Sequence, residues 1–374
     1  MKKLFKIGKL KLWQKYCEIQ RKKHLLTYLF WESTLKCNLN CQHCGSDCGL
    51  KEIDKDELTT EEIKNVFCTI AKDFNPEQIT IAVTGGEPLL RQDIFEVMGY
   101  ASGLGFSWGM VTNGTLITPE IVHKMKEAKM STISVSLDGL ENNHNWLRNS
   151  KNAFEKTING IKLLVSSKNF NIIEIITCVN QNNINELEDI YELCNKLGVD
   201  KWRIFIISPI GRANGNSKLF LNGQQLLYLL EYIKDKRKEK KNKLSVSFCD
   251  EGFLGLEYEN EVRNQLFYCW AGIRVGSVLY NGDIAACPIL PREYTRQGNV
   301  KQDRFSEIWN NKYELFRNRD WHKCGDCKNC FWWEFCEGNS LHLWNFNDNK
   351  LTLCNYNLVN QERLSQKKKG KKYV

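Results

Sequence analysis

From residue 28 to about 243, short apolar runs alternate with longer stretches of helical periodicity. The runs Tyr28–Glu32, Gln78–Val83, Ser107–Val111, Thr132–Leu137, Ile172–Val179 and Lys201–Ile207 have the length and continuity of buried strands. Helical patterns are predicted near 60–73, 91–104, 118–128, 151–167, 184–197 and 222–240. Strand then helix, repeated, implies a parallel sheet with right-handed crossovers. Six such units do not close an eight-fold barrel. The expectation is an α/β fold, an open partial (β/α)6 TIM-like barrel whose site lies at the C-terminal ends of its strands.

Several strands run straight into polar or glycine-rich residues: Thr84-Gly85-Gly86-Glu87-Pro88, Thr112-Asn113-Gly114, Asp138-Gly139 and Asn180-Gln181-Asn182-Asn183. A ligand-binding rim has this pattern. The charged stretch Lys234–Lys243 reads as a helix end or linker, so a boundary is expected there. Beyond it the chain becomes rich in Cys, Trp, Gly and Asn, with few long helices. Such a segment needs staples, which bound clusters would supply. The division is then a basic N-terminal extension over 1–27, a barrel over 28–243, a C-terminal cysteine-rich domain over 244–360 and a basic tail over 361–374.

With 374 residues, 42% of them apolar, the chain can bury a substantial core. No run of eighteen apolar residues suggests a membrane span. Lys6, Lys9, Lys11 and Lys15 interrupt any signal-peptide core, so a cytoplasmic protein is expected. Its sixteen cysteines are clustered at short spacings, which favours metal or cluster ligation over a disulfide framework. Of the net charge of +9, residues 1–27 carry +8 and 361–374 carry +5, leaving −4 on the body. A nucleic-acid partner is therefore not expected. The basic ends read as solubilising, partly disordered tails. Contact with an acidic peptide or an anionic membrane surface is the sharper alternative.

The segment Lys36-Cys37-Asn38-Leu39-Asn40-Cys41-Gln42-His43-Cys44 directly follows the first strand. Three thiolates so spaced can wrap one corner of a cubane cluster and leave one iron open. A structural zinc site completed by Cys48 is the alternative. The Thr84–Pro88 turn favours the cluster, because its glycines permit close backbone approach to a ligand and Glu87 can offer a carboxylate to an ammonium group.

Together, CNLNCQHC and TGGEP resemble the radical S-adenosylmethionine (SAM) superfamily. The resemblance implies a [4Fe–4S] cluster on Cys37, Cys41 and Cys44, with SAM chelated at the open iron. It implies that Gly85, Gly86 and Glu87 meet the SAM amino group and that His43 lies near the adenine. Ser136 and Arg148 match positions that contact the SAM carboxylate, a group that suits the planar arginine fork. Reductive cleavage of SAM to methionine and a 5′-deoxyadenosyl radical is the implied chemistry, with a donor such as flavodoxin or ferredoxin.

A second constellation comprises Cys269, Gly282, Cys287, Cys324, Cys327, Cys330, Cys336 and Cys354. A zinc ribbon is the plain alternative. By contrast, Cys17, Cys68 and Cys194 sit on helical stretches and read as small buried hydrophobes. The later group resembles the SPASM domain, which holds one or two auxiliary iron–sulfur clusters. By that likeness Cys327, Cys330, Cys336 and Cys354 form a complete four-thiolate site. The other site keeps Cys269 and Cys287, with Ser340 where a cysteine is expected and Cys249 and Cys324 spare. Longer stretches (YLFWESTLKCNLNCQHCGSDC, SLDGLENNHNWLR and CEGNSLHLWN) resemble the SPASM-bearing branch known as the rSAM/lipoprotein system, which implies a peptide maturase and a lipoprotein-system partner.

Sulfatase-maturating relatives carry an Asp base after the second SPASM cysteine, whereas Pro288 follows Cys287 here. Cys178, ending the fifth strand, is a candidate hydrogen-atom donor, with a buried strand cysteine as the plain alternative. Asn113 and Asp138 are candidate SAM or substrate contacts. The leading expectation is radical modification of a peptide or protein. A small-molecule enzyme acting on tetrapyrrole side chains, which share the Cys-Pro step, is the second. A zinc- or cluster-stapled binding module is the third.

Overall fold

The computed structural model describes residues 2–50, 56–239, 243–249 and 251–368. Its strands are β1 (Tyr28–Thr34), β2 (Thr80–Gly85), β3 (Ser107–Thr112), β4 (Thr132–Ser136), β5 (Ile172–Val179), β6 (Lys201–Ile206), β7 (Ser245–Phe248), β8 (Val275–Val278), β9 (Asp283–Ala285) and β10 (Gly298–Asn299). Helix α1 (Lys2–Lys23) precedes β1. Helices α2 (Thr60–Asp73), α3 (Ile94–Gly103), α4 (Pro119–Glu127), α5 (Glu141–Arg148), α6 (Ala153–Ser167), α7 (Leu187–Leu197) and α8 (Gly223–Lys238) lie between and after the first six strands. Local signals set their ends. Thr59 and Glu62 form a reciprocal capping box on α2, and Asn222 and Gln225 form another on α8. Thr118 caps α4 with Pro119 at its first position, and Gly198 takes the left-handed conformation that stops α7.

All six expected strands and their crossover helices are present, in the mostly parallel α/β arrangement. One ten-stranded sheet runs in the order β10-β9-β8-β1-β2-β3-β4-β5-β6-β7, parallel from β8 through β7 and antiparallel at β9 and β10. Its inner side chains, among them the fully buried Trp31, Trp108 and Trp202, form one core with the helices.

The boundary expected after residue 243 does not divide this sheet. β7 lies beyond it and pairs parallel with β6, from Lys201↔Ser245 to Ile204↔Phe248. β8 pairs parallel with β1, from Tyr28↔Val275 to Trp31↔Val278. The cysteine-rich half is thus attached at both edges of the six-stranded unit. The reason is physical: the edge strands β1 and β6 expose unpaired backbone groups, and short apolar runs such as Ser245–Phe248 satisfy them. Residues 240–242 of the charged stretch lie outside the described residues.

The described parts of the basic ends are also not loose tails. Leu10 and Cys17 on α1 are buried against Phe267, Tyr268 and Ile273. Trp13 Nε1–H donates to the Phe267 carbonyl (3.1 Å), Lys6 pairs with Glu261 (2.9 Å), and Arg21 binds Tyr268 and Glu337. Apolar groups at Leu10, Trp13 and Cys17 override the charge in deciding that this segment docks. At the other end, helix Asn355–Lys368 crosses the expected boundary after residue 360 and packs on α8. Residues 369–374 lie outside the described residues. Among the described residues, no helix is long and apolar enough to cross a membrane.

Candidate active site

The loop after β1 gathers Cys37, Cys41, Cys44 and Cys48 with Leu35 and Leu39. Distant segments clamp it. Gln42 N–H donates to Leu147 O (2.9 Å) and Arg212 N–H donates to Cys44 O (3.0 Å). Arg212 Nε–H reaches Cys41 O (2.8 Å), while its Nη1 reaches Asp47 and Cys48 O (both 2.8 Å). On the other side, Gly86 N–H donates to Thr34 O (2.7 Å) and Glu87 N–H to Lys36 O (2.8 Å). A Cβ on Gly85 would lie 2.2 Å from Thr34 O, and one on Gly86 2.1 Å from Lys36 O. Gly85 also has φ +130°. The glycines, expected to admit a ligand, are therefore also required for β2 to press against the cysteine loop.

This loop closes one side of a cavity of about 290 Å³ at the C-terminal strand ends, lined by the three cysteines, His43, Gly85, Gly86, Asn113, Ser136, Arg148 and Cys178. Burial pushes the Cys37 thiol up to about 11 and raises Cys41, whereas a hydrogen bond from Cys48 draws Cys44 down to about 6. Cys48 is thus a partner of Cys44 within the same group.

Two expected ligand contacts are engaged elsewhere. Glu87 is fully buried and does not line the cavity. Its carboxylate accepts from Thr112 Oγ1 (2.8 Å), Asn113 N–H (2.8 Å) and Leu89 N–H (3.2 Å). It straps the ends of β2 and β3 together, and the strand-end amides that a bare sheet would leave unpaired explain why. Arg148 turns its fork onto Asp138, with Nε 2.6 Å and Nη2 2.5 Å from Oδ2. Its Nη1 lies 3.6 Å from Cys41 Sγ. A buried carboxylate ten residues away holds the fork, because Asp138 is itself completely buried and needs a counter-charge.

Asp138 also accepts the Cys178 N–H at Oδ1 (2.8 Å), and its carbonyl accepts from Asn183 Nδ2 (2.8 Å). It organises the site from behind and does not line the cavity. Asn113 does, bonded to Asn38 Oδ1 (2.9 Å). Ligand atoms of His43, Asp138 and Cys178 lie within 4.8 Å of one another. Burial, then Asp138, hold the Cys178 thiol well above its usual range, so it stays protonated. Burial lowers His43 to about 4.

His43 Nδ1 and Ser208 Oγ are buried without a hydrogen-bond partner among the described residues, and both residues line the cavity. Three thiols and two orphaned polar atoms around one cavity fit a cluster with an open position and a polar ligand upon it. Sequence reasoning missed Gly211, Arg212 and Glu251. A Cβ on Gly211 would lie 2.4 Å from Cys44 O, Arg212 clamps the loop, and Glu251 lines the cavity while accepting Ile206 N–H (3.1 Å). The Gly-Arg step just past β6 was the available signal.

In the cysteine-rich region, Cys327, Cys330, Cys336 and Cys354 come together. Burial, then Cys354 and Cys330, push Cys327 up to about 12, and burial, then Cys354, raise Cys336 well above its usual range. Asn339 N–H donates to Cys336 Sγ (3.2 Å). This is a complete set of four thiols. The other site is not. Cys269 lies close enough to Cys287 to help burial push it up to about 12, but Ser340 is buried and accepts Gly252 N–H (3.3 Å). Of the spare cysteines, Cys249 is packed in the main core and Cys324 Sγ–H donates to Asn349 O (3.3 Å). These residues do not complete a second four-thiolate site.

Residues 31–194 match the family model described as the radical SAM superfamily, and residues 269–331 match SPASM, an iron–sulfur cluster-binding domain. The AdoMet-dependent heme synthase of Methanosarcina barkeri is 32% identical over 327 residues, covering 82% of this chain and 89% of that one. The mycofactocin maturase MftC of Mycolicibacterium smegmatis is 28% identical, covering 84% of this chain and 77% of its own. The solved structure of native anSMEcpe with bound AdoMet and a peptide superposes with a TM-score of 0.71 at 20% identity, covering 91% of this chain and 96% of that one.

Proposed function

This chain belongs to the radical SAM superfamily, in the form that carries an SPASM domain, and from that premise we propose that it modifies a peptide or protein substrate by radical chemistry. It is a radical SAM enzyme. The group implied at Cys37, Cys41 and Cys44 supplies reductive cleavage of SAM to methionine and a 5′-deoxyadenosyl radical. Gly85, Gly86, His43 and Ser136 would hold SAM, and Arg148 would set the electrostatics at Cys41 while fixing Asp138. Cys178 would return a hydrogen atom to a substrate carbon radical, a role that needs the S–H form which its surroundings preserve, and one electron from the external donor together with one proton would restore the thiol. Cys327, Cys330, Cys336 and Cys354 would hold an auxiliary cluster to carry electrons, with a flavodoxin or ferredoxin as external donor. The reaction would take place in the cytoplasm, on a substrate that includes lipoprotein-system precursors.

The observation that carries the peptide reading is a second cleft. It has a volume of about 540 Å³ and meets the cavity at Gly45, Ile210 and Ile289. Pro288–Tyr294 on one side and Trp344–Asn347 on the other line it. Arg292, the arginine in this lining, is bound to the buried Glu32 (2.8 Å). Aromatic rings and amides suit a peptide, whereas a tetrapyrrole with several carboxylates calls for unpaired cations. The heme synthase relative at 32% identity favours a second reading, a tetrapyrrole side chain as substrate.

The test is anaerobic. The reconstituted enzyme, dithionite and SAM would be incubated with candidate precursor peptides or with iron-coproporphyrin. A peptide product dependent on Cys44, seen as mass loss or, where Cys178 returns the hydrogen, as one deuterium gained in D2O, supports the proposal. Decarboxylation of the porphyrin with peptides untouched would replace it with the second reading. Absence of 5′-deoxyadenosine under every condition would remove both.

A further inference from the structure

Helix α1 has two apolar sides. One faces the protein through Leu10, Trp13 and Cys17. The other faces outward. Phe5, Leu12 and Ile19 recur every seven residues, which places them on one face of a helix. They are 75%, 71% and 51% exposed, and Tyr16 beside them is 38% exposed. Gly8 in the same stripe has open space around its Cβ position. From Phe5 to Ile19 the stripe is about 21 Å long at 1.5 Å per residue. Large apolar side chains gathered on one exposed strip mark a contact surface rather than chance exposure.

Charge decides what the partner is. The helical angle places Lys11, Lys15 and Lys22 along one border of the stripe and Lys9 along the other, while Lys23 continues the line of the stripe beyond Ile19. Lys9 donates to Asn260, whereas Lys11, Lys15, Lys22 and Lys23 carry no ion pair among the described residues. The acidic residue on the helix is Glu18. A second copy of α1 laid on the stripe would bring lysine borders against lysine borders, so self-association is opposed. A convex helix riding on the surface suits a flat partner better than a groove. At 22 residues the helix is long enough but not apolar enough to cross a bilayer.

We propose that α1 is an interfacial helix that seats this enzyme on an anionic lipid surface, with Phe5, Leu12 and Ile19 entering the headgroup region and the bordering lysines pairing with lipid charge. Apolar insertion and basic attraction act together, because either alone gives weak, reversible attachment. The contact lies outside the stretches matched to the family, which begin at residue 31. It does not depend on the peptide reading, since α1 is tied to Phe267–Trp270 whatever the substrate is.

The test is vesicle co-sedimentation of the full, cluster-loaded enzyme under anaerobic conditions. Phosphatidylcholine vesicles would be compared with vesicles also containing phosphatidylglycerol, at low and high salt. The expected result is sedimentation with the anionic vesicles that salt weakens. The Phe5→Ser/Leu12→Ser/Ile19→Ser variant should partition at least about tenfold less, and Lys11→Gln/Lys15→Gln less but measurably so. Because the five side chains point into solvent, iron content and 5′-deoxyadenosine formation should match the parent, which confirms the fold. Equal behaviour of parent and triple variant overturns the proposal. So does a concentration-dependent dimer that the triple variant abolishes, or binding of an acidic protein through the stripe with no vesicle binding.

Discussion

The two cysteine constellations are built by opposite means. Cys37, Cys41 and Cys44 sit on a loop clamped by the ends of β2, by α5 and by the segment after β6, through backbone bonds of 2.7 to 3.0 Å. A buried pair, Arg148 with Asp138, stands behind it. Cys327 and Cys336 sit on isolated turns, Gly325–Cys327 and Trp333–Cys336, with Cys330 between them and Cys354 just ahead of helix Asn355–Lys368. Ring contacts do much of the holding there, as in Trp321 and Trp344 flanking His322 and in Trp332 packed on Phe253 and Tyr356. A ladder of strands can pre-form a ligand loop, whereas turns converge when something at their centre binds them.

The largest expected effect separates the two sites by function. Cys44→Ala should abolish 5′-deoxyadenosine formation while leaving about four irons per chain on the auxiliary set. Cys336→Ala should retain SAM cleavage but raise amide exchange across 320–354, measured by hydrogen–deuterium exchange. If Cys336→Ala left that exchange unchanged, the contrast in how the sites are held would fail.

Removing one partner of the buried pair comes next. Arg148→Ala leaves Asp138 charged and buried, at a cost of about 3–5 kcal/mol in denaturant unfolding. The double variant Arg148→Met/Asp138→Asn should recover part of that loss. A smaller effect is expected for Gly86→Ala, whose new methyl meets Lys36 O. Overpacking of about 1–3 kcal/mol should loosen the cysteine loop and weaken SAM binding, read by equilibrium dialysis, without changing exchange in 320–354.

The smallest effect is in pH. Burial lowers His43 and His144 in the barrel to about 4, and His342 to about 4 and His322 to about 2 in the cysteine-rich region. Unfolded, each binds a proton near pH 6.5. Between that pH and the folded values the unfolded chain holds more protons, so stability falls as pH falls. With two such histidines on each side, the two regions of the metal-free chain should lose exchange protection together as pH falls from about 6.5 to about 4, and the cysteine-rich region should go on losing it below about 4, where His322 alone of the four stays neutral in the fold. Equal loss in both regions below that pH would break the contrast.

Much of this was legible one segment at a time. Strand Ile172–Val179 was found with its observed bounds, and the x3, x2 cysteine spacing and the Gly-Gly-Glu turn needed nothing beyond neighbouring residues. Such features follow from chain geometry over a few residues, where periodicity and turn chemistry act. What could not be read that way is how separate segments satisfy one another. Glu87 serves backbone amides on β3, Arg148 serves Asp138, and Arg212 reaches back to Cys41. The strand after residue 243 completes an edge more than forty residues away, and a lysine-rich opening segment becomes a docked helix because three apolar groups find Phe267–Ile273. Buried polar groups and open strand edges must find partners wherever the folded chain offers them. That demand is long-range, and it is met when the whole molecule is assembled.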